Sequence, residues 1–290
     1  MHRALTIVLI ASMWAQFVIA ATSSPVKNGI TVLAKNHAQS VKCGLRLAKT
    51  SFSKDEPILL KFEVENSSNE MVTINLGVDR VGAFQFVLRQ PNGELKELPR
   101  RRAGLGLTRV GKFGVDPHQT YSQQMILNEW QSFSQPGEYV LSLTKALAVK
   151  TSTGVVDCED SELQFQLRPT DEMTLHVTCS LLLESIANNR SDYGRASDAA
   201  QALINVNNPL VVPYLERALE ANFGVDSIVI EGLSRIGDHR SIEVLISILE
   251  RFDRKMSQFT QARQGLIEIS NRIPPSPDQA LIKRALEQYR

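Results

Sequence analysis

Residues 224–250, GVDSIVIEGLSRIGDHRSIEVLISILE, decide the fold of the C-terminal half. Leu233, Ile236, Ile242, Leu245 and Leu249 fall three or four apart on either side of a Gly237-Asp238 break. That is the spacing of one helix face interrupted by a turn. Subtracting 30 from each number gives Leu203, Val206, Val212, Leu215 and Leu219, again all apolar. Asn208 matches Asp238, and both residue types cap helix starts by accepting a hydrogen bond from a free backbone N–H. Gly237 suits a helix that ends in left-handed geometry. One short helix pair cannot bury its own apolar stripe, so the pattern predicts stacked pairs.

These residues resemble a known family. GLSRIGDHRSIEVLISILE is similar to a bacterial HEAT repeat of the short, phycobilisome-lyase-like type. ALINVNNPLVVPYLERALE resembles it more loosely, with Pro209 and Pro213 near the start of the second helix. The resemblance covers roughly residues 192–250. It implies a HEAT-like α-solenoid and brings no catalytic residue with it. Leu266 and Ile269, followed by a helix from Pro277, predict a third, degraded copy of the kind that closes a repeat array.

The first half has a different period. Val41, Cys43, Leu45 and Leu47 alternate with polar residues, as do Leu60, Phe62 and Val64. That is the pattern of half-buried strands. Pro91-Asn92-Gly93 predicts a hairpin tip, because Pro presets φ and Asn-Gly accepts positive φ. Seven or so such runs, separated by turns, predict an antiparallel sandwich. The segments PNGEL, VDPHQTYSQQMILNEW and PGEYVLSL resemble Ig-like sandwiches of the bacterial intracellular proteinase-inhibitor type. At Pro169-Thr170-Asp171-Glu172 the period changes to 3.6, and Leu175, Cys179, Leu182 and Ile186 open a helical stripe. The expected architecture is therefore two-domain, all-β plus all-α. It comprises a signal peptide (1–20), a flexible lead-in (21–40), an Ig-like antiparallel β-sandwich (41–169) and a HEAT-like α-solenoid (170–290).

The N-terminal run LTIVLIASMWAQFVIA follows Arg3 and ends at a Val18-x-Ala20 pair. It falls short of the ~20 residues a spanning helix needs, and reads as a secretory signal cut after Ala20. The expected address is secreted or periplasmic, with no membrane span after signal removal. Lys and Arg number 32 against 31 acidic residues, so loss of Arg3 leaves 32 − 1 = 31 of each sign. A general nucleic-acid binder needs a basic surface, and this balance argues against one.

The three cysteines, Cys43, Cys158 and Cys179, form no CxxC and no zinc-ligand spacing, so neither metal nor cofactor is expected. An odd count in an exported protein leaves one thiol free or bonded to another chain. Cys43 shares the inward parity of Leu45 and Leu47, and Cys158 that of Val156 before the last strand. A Cys43–Cys158 disulfide is open to them. Cys179 lies on the helical stripe and is expected to be a buried free thiol.

Catalytic patterns are missing. The histidines are scattered, with no HExxH and no Ser-His-Asp arrangement. Residues 106–113 approach a phosphate-binding loop, but Phe113 stands where Ser or Thr must hold Mg²⁺. The expectation is no enzyme; an uncharacterised hydrolase is the remoter alternative. The expected function is protein–protein interaction as an exported scaffold. The alternative implied by the second resemblance is a proteinase inhibitor acting through the sandwich loops. The candidate binding face is the side of the second helices opposite their apolar stripes: Tyr214 and Arg217, then Arg240, Val244 and Arg251 in the next copy. Tyr and Arg often carry interface energy, and this mixture implies an acidic protein partner with some apolar area. A second candidate is a basic loop of Arg100, Arg101, Arg102, Arg109 and Lys112.

Overall fold

Strands occupy the first half of the chain and helices the second, in a computed structural model that describes residues 40–75, 84–99, 111–145, 148–152, 154–156, 161–189, 191–221 and 224–289. The described strands make three sheets. The first holds β1 (Val41–Leu47), β3 (Leu59–Asn66) and β8 (Thr120–Ile126), with β3 central. The second runs β11 (Gly154–Val156), β10 (Ala148–Thr151), β4 (Val72–Asn75), β7 (Lys112–Val115). The third runs β2 (Ser51–Ser53), β12 (Ser161–Arg168), β9 (Gly137–Lys145), β5 (Gln85–Arg89), β6 (Leu95–Glu97).

This corrects the expected Ig-like antiparallel sandwich. There are three sheets, and β2 pairs with β12 in parallel, Phe52 opposite Leu167. Alternation fixes which face of a strand is buried, and it does so correctly in β3, where Leu60, Phe62 and Val64 are all buried. It does not fix which distant strand becomes the neighbour. The hairpin at Gly93, φ +84°, joins β5 to β6 as its turn residues require. Aromatic rings fill the core. Phe62 meets Phe84 edge-on at 5.1 Å, and Phe86 meets Trp130 edge-on at 5.2 Å.

The helices are α1 (Glu172–Asn188), α2 (Tyr193–Ile204), α3 (Val212–Glu220), α4 (Asp226–Ile236), α5 (His239–Arg251), α6 (Ser257–Arg272) and α7 (Pro277–Gln288). They pack in two rows, α2-α4-α6 and α1-α3-α5-α7. The caps are those their residues predict. Asp171 caps α1, Asn208 receives the Leu210 N–H at 3.0 Å, and Asp238 caps α5 through the Ser241 N–H at 2.8 Å. Gly237 closes α4 at φ +61°.

The HEAT-like solenoid label is corrected as well. The seven helices among the described residues range from 9 to 17 residues, so no one repeat length runs through them. The offset of 30 joins α2–α3 to α4–α5 and then fails. Gly232 lies against Ile204 of α2, and its counterpart Gly265, against Ser234 of α4, comes 33 residues later. Arg235 donates to the Ile204 carbonyl and to Asn205 Oδ1 (3.2 Å); Arg272 donates to the Ser234 carbonyl (3.0 Å), 37 residues on from Arg235. Each arginine thus satisfies carbonyls at the end of the preceding helix in its row, where the helix dipole is negative. What stands, among the described residues, is a β part of three sheets followed by an α part of seven helices, within one compact unit.

Candidate functional site

The turn between β2 and β3, Ser53-Lys54-Asp55-Glu56, is where sheets meet helices. Asp55 adopts φ +72°, a conformation that Asp tolerates better than most residues. Its carbonyl accepts from the Asn207 N–H at 3.0 Å, and its Oδ2 from Thr170 Oγ1 at 3.0 Å. Ser53 Oγ accepts from the Asp171 N–H at 2.8 Å. Glu56 is buried, yet its carboxylate is satisfied. It accepts from the Ser53 N–H (2.9 Å) and Thr178 Oγ1 (2.9 Å), and pairs with Lys49 Nζ (2.5 Å). A buried carboxylate persists only with such partners. Next to Thr178, the thiol of Cys179 is pushed up to about 12, first by burial and then by the Glu56 charge.

A cleft of about 390 Å³ opens beside this turn. Trp130, Gln131 and Phe133 line it from the β part, and Asn205, Asn207 and Arg235 from the helices. Arg235 is engaged, donating to Asn205 and pairing with Glu231 at 2.8 Å. Trp130 Nε1 and Gln131 Oε1 are buried without a hydrogen-bond partner among the described residues. No group of three or more His, Cys, Asp or Glu placed to hold a metal ion occurs among the described residues.

The second surface is the outward side of α1, α3 and α5. His176 of α1 and Tyr214 of α3 join through Nδ1 and Oη at 2.8 Å. Arg240 of α5 grips Glu216 of α3 at 2.7 and 2.9 Å, and Glu243 at 3.1 Å. The three helices therefore present one continuous face. Arg217 is exposed on it. Arg251 lies at its far end, its guanidinium 5.5 Å from the Phe252 ring centre.

Two sequence expectations change here. Val244 is buried at 5% exposure, and cannot belong to a binding face. Helix α5 packs against α3, α4, α6 and α7, so its buried side is wider than that of α3 and takes in Val244. Arg240 is neutralised by two glutamates, its guanidinium pKa raised chiefly by the Glu216 hydrogen bond. Of the three arginines an acidic partner would meet, Arg240 is thus already paired within the chain. Of the basic loop, Arg100, Arg101, Arg102 and Arg109 lie outside the described residues, and Lys112 is an exposed first residue of β7. Cys43 is disulfide-bonded and Cys179 is a buried free thiol; Cys158 lies outside the described residues.

The feature that the spacing of core residues does not reveal is on α1. Met173, Val177 and Leu181 are 72%, 52% and 58% exposed. They follow one another four apart, on the side opposite the buried Leu175, Cys179 and Ile186. The signal was present as a helix apolar on two sides, which a surface helix seldom is.

No family model matches the chain, and no curated protein does. Among solved structures, a structural-genomics target is 10% identical over 45% of this chain and 88% of its own, with a TM-score of 0.28. A β-glucosidase from Erythrobacter marinus is 13% identical over 44% of this chain and 15% of its own, TM-score 0.25. An alkylpurine DNA glycosylase from Pseudomonas fluorescens is 12% identical over 46% of this chain and 31% of its own, TM-score 0.23. At these scores the likenesses bear on neither fold nor function.

Proposed function

We propose that this is an exported protein that acts by binding another protein through the outward face of α1, α3 and α5. The observation that carries the proposal is the exposed stripe Met173, Val177 and Leu181. Contiguous apolar surface of this kind on a folded protein marks a contact site far more often than scattered single residues do. Next to it on α1, His176 and its Tyr214 partner on α3 supply polar groups of the kind that interface rims carry. Export rests on the N-terminal apolar run and predicts a mature chain beginning at Ala21.

Site-specific photocrosslinking in the native host tests this. A benzoylphenylalanine at Val177 should yield a discrete adduct with another protein, whereas the same group at the exposed Lys283 of α7 should not. Failure of Val177, Leu181 and Arg217 alike to crosslink would remove this face. N-terminal sequencing of the exported product checks the address, and a retained Met1 would overturn it.

A second reading rests on the cleft, whose lining of Asn128, Trp130, Asn205 and Asn207 suits a small polar ligand. After removal of residues 1–20, which include Trp14, Trp130 is the sole tryptophan, so ligand entry would register directly in intrinsic fluorescence.

A further inference from the structure

We infer that the β part and the α part turn on each other about Pro169-Thr170-Asp171. The Glu56–Thr178 hydrogen bond is the latch that holds the closed arrangement, and the cleft beside Trp130 is the space the motion widens. This goes beyond the protein-binding proposal and does not depend on it.

The two parts are packed separately. One apolar core draws its members from Val41 to Leu167 and the other from Leu175 to Ile282, and no residue belongs to both. Ile126 is buried outside both cores, on β8, the strand that α2 touches. Parts with their own cores that meet through polar groups can move apart without unfolding, because neither core is opened by the motion.

The chain crosses the seam once. Strand β12 ends at Arg168 and α1 begins at Glu172, so the crossing is Pro169, Thr170 and Asp171, all exposed. A few residues between elements are what absorb the backbone change of a hinge. Pro169 fixes its own φ, and Asp171 is tied to α1 as its cap, which leaves the rotation to the Pro169 ψ and to Thr170.

Position sorts the joining bonds into pivot and latch. The Asp171–Ser53 bond at 2.8 Å and the Thr170–Asp55 bond at 3.0 Å lie at the crossing itself and survive a small rotation. Thr178 stands about 10 Å further along α1, and Asn207 follows α2. Their bonds, to Glu56 at 2.9 Å and to the Asp55 carbonyl at 3.0 Å, lie off the pivot and must break. Asp55 and Asn207 both line the cleft, so parting them widens it. Glu56 is built to let go. When Thr178 leaves, the carboxylate keeps the Ser53 N–H and Lys49 Nζ, both from the β part. Opening therefore strands no unpaired buried charge, the usual obstacle to breaking such a contact.

The test uses the secreted chain with spin labels on noncanonical residues at the exposed Lys96 of β6 and Lys283 of α7, which leaves the cysteines untouched. Pulsed dipolar spectroscopy should give two label-to-label distances for the parent. Thr178→Val should raise the share of the minor distance roughly two- to tenfold, the range that one hydrogen bond supplies. Thr178→Ser keeps the hydroxyl and should restore the parent's distribution. Amide protection inside β3 and α4 should be equal in all three proteins, which separates opening from unfolding. One distance shared by the parent and Thr178→Val overturns the inference, as does a change in distance that appears only with lost protection.

Discussion

Thr178 Oγ1 donates to Glu56 Oε1 at 2.9 Å across 122 residues of chain, joining the second turn of α1 to the turn after β2. With the Asp171–Ser53 and Asn207–Asp55 bonds, this contact fastens the α part to the β part. Glu56→Ala should therefore cost about 2–3 kcal/mol, by leaving buried donors unmet and a lysine unpaired. The lower end is expected, because Lys49 is 43% exposed and recovers water. Thr178→Val, which removes one bond, should cost about 1 kcal/mol. Urea unfolding measures both. A Glu56→Ala midpoint equal to that of the parent would show that the carboxylate is no joint.

The row α2-α4-α6 depends on two close approaches. A Cβ at Gly232 would sit 2.5 Å from Ile204 Cγ2, and one at Gly265 would collide with Ser234 Oγ. Alanine gains up to ~1 kcal/mol in helix propensity over glycine, but overpacking costs about 1–3 kcal/mol. Overpacking should win at Gly232, whose neighbour is a stiff β-branched side chain. At Gly265 the loss should be partly restored by a second change, Ser234→Ala, which removes the colliding oxygen. A thermal-melt double-mutant cycle checks this coupling. Additive effects would mean that the two residues do not limit each other.

Local features of the chain were legible because they depend on near neighbours. The alternation in β3, the caps at Asn208 and Asp238, and the left-handed Gly237 are each decided within a few residues. Pairings were not legible. The parallel match of Phe52 with Leu167 joins positions 115 apart, and nothing in either strand's alternation names the other. The fate of Val244 was hidden for a related reason: its burial is set by how many helices cover α5, not by the spacing within it. Ser53-Lys54-Asp55-Glu56 has the composition of an ordinary solvated turn, and only the assembled structure turns Glu56 inward.

The thiols offer a direct check on the cysteines. Cys179 is fully buried with its pKa near 12, so native protein should resist alkylation there at pH 8 and react only after unfolding. Cys43 should appear in a disulfide-linked peptide without reduction, and we propose Cys158 as its partner. Reducing a link that closes so long a loop should lower stability by roughly 4 kcal/mol in the chain-entropy model. A non-reduced digest in which Cys179 is the bonded residue would contradict the assignment.

The last expectation concerns pH and helix α7. His239 Nδ1 lies 2.7 Å from Asp278 Oδ1, and Nε2 lies 3.5 Å from Glu243 Oε1, so the imidazole ties the start of α5 to the start of α7. The Asp278 hydrogen bond and charge, with smaller help from Glu243 and Asp238, raise the His239 pKa above its ordinary value of 6.5. In the unfolded chain the ordinary value returns. The folded state thus holds its proton to higher pH than the unfolded state does. The contribution of this contact is complete below the ordinary value, and is lost as pH rises through the raised one. Amide protection across α7, corrected for intrinsic exchange, should accordingly fall as pH rises beyond the ordinary histidine value. Asp278→Asn removes the partner charge and should flatten that dependence while leaving α4 and α6 unaffected. An identical pH profile in the variant would show that the His239–Asp278 contact does not hold α7 in place.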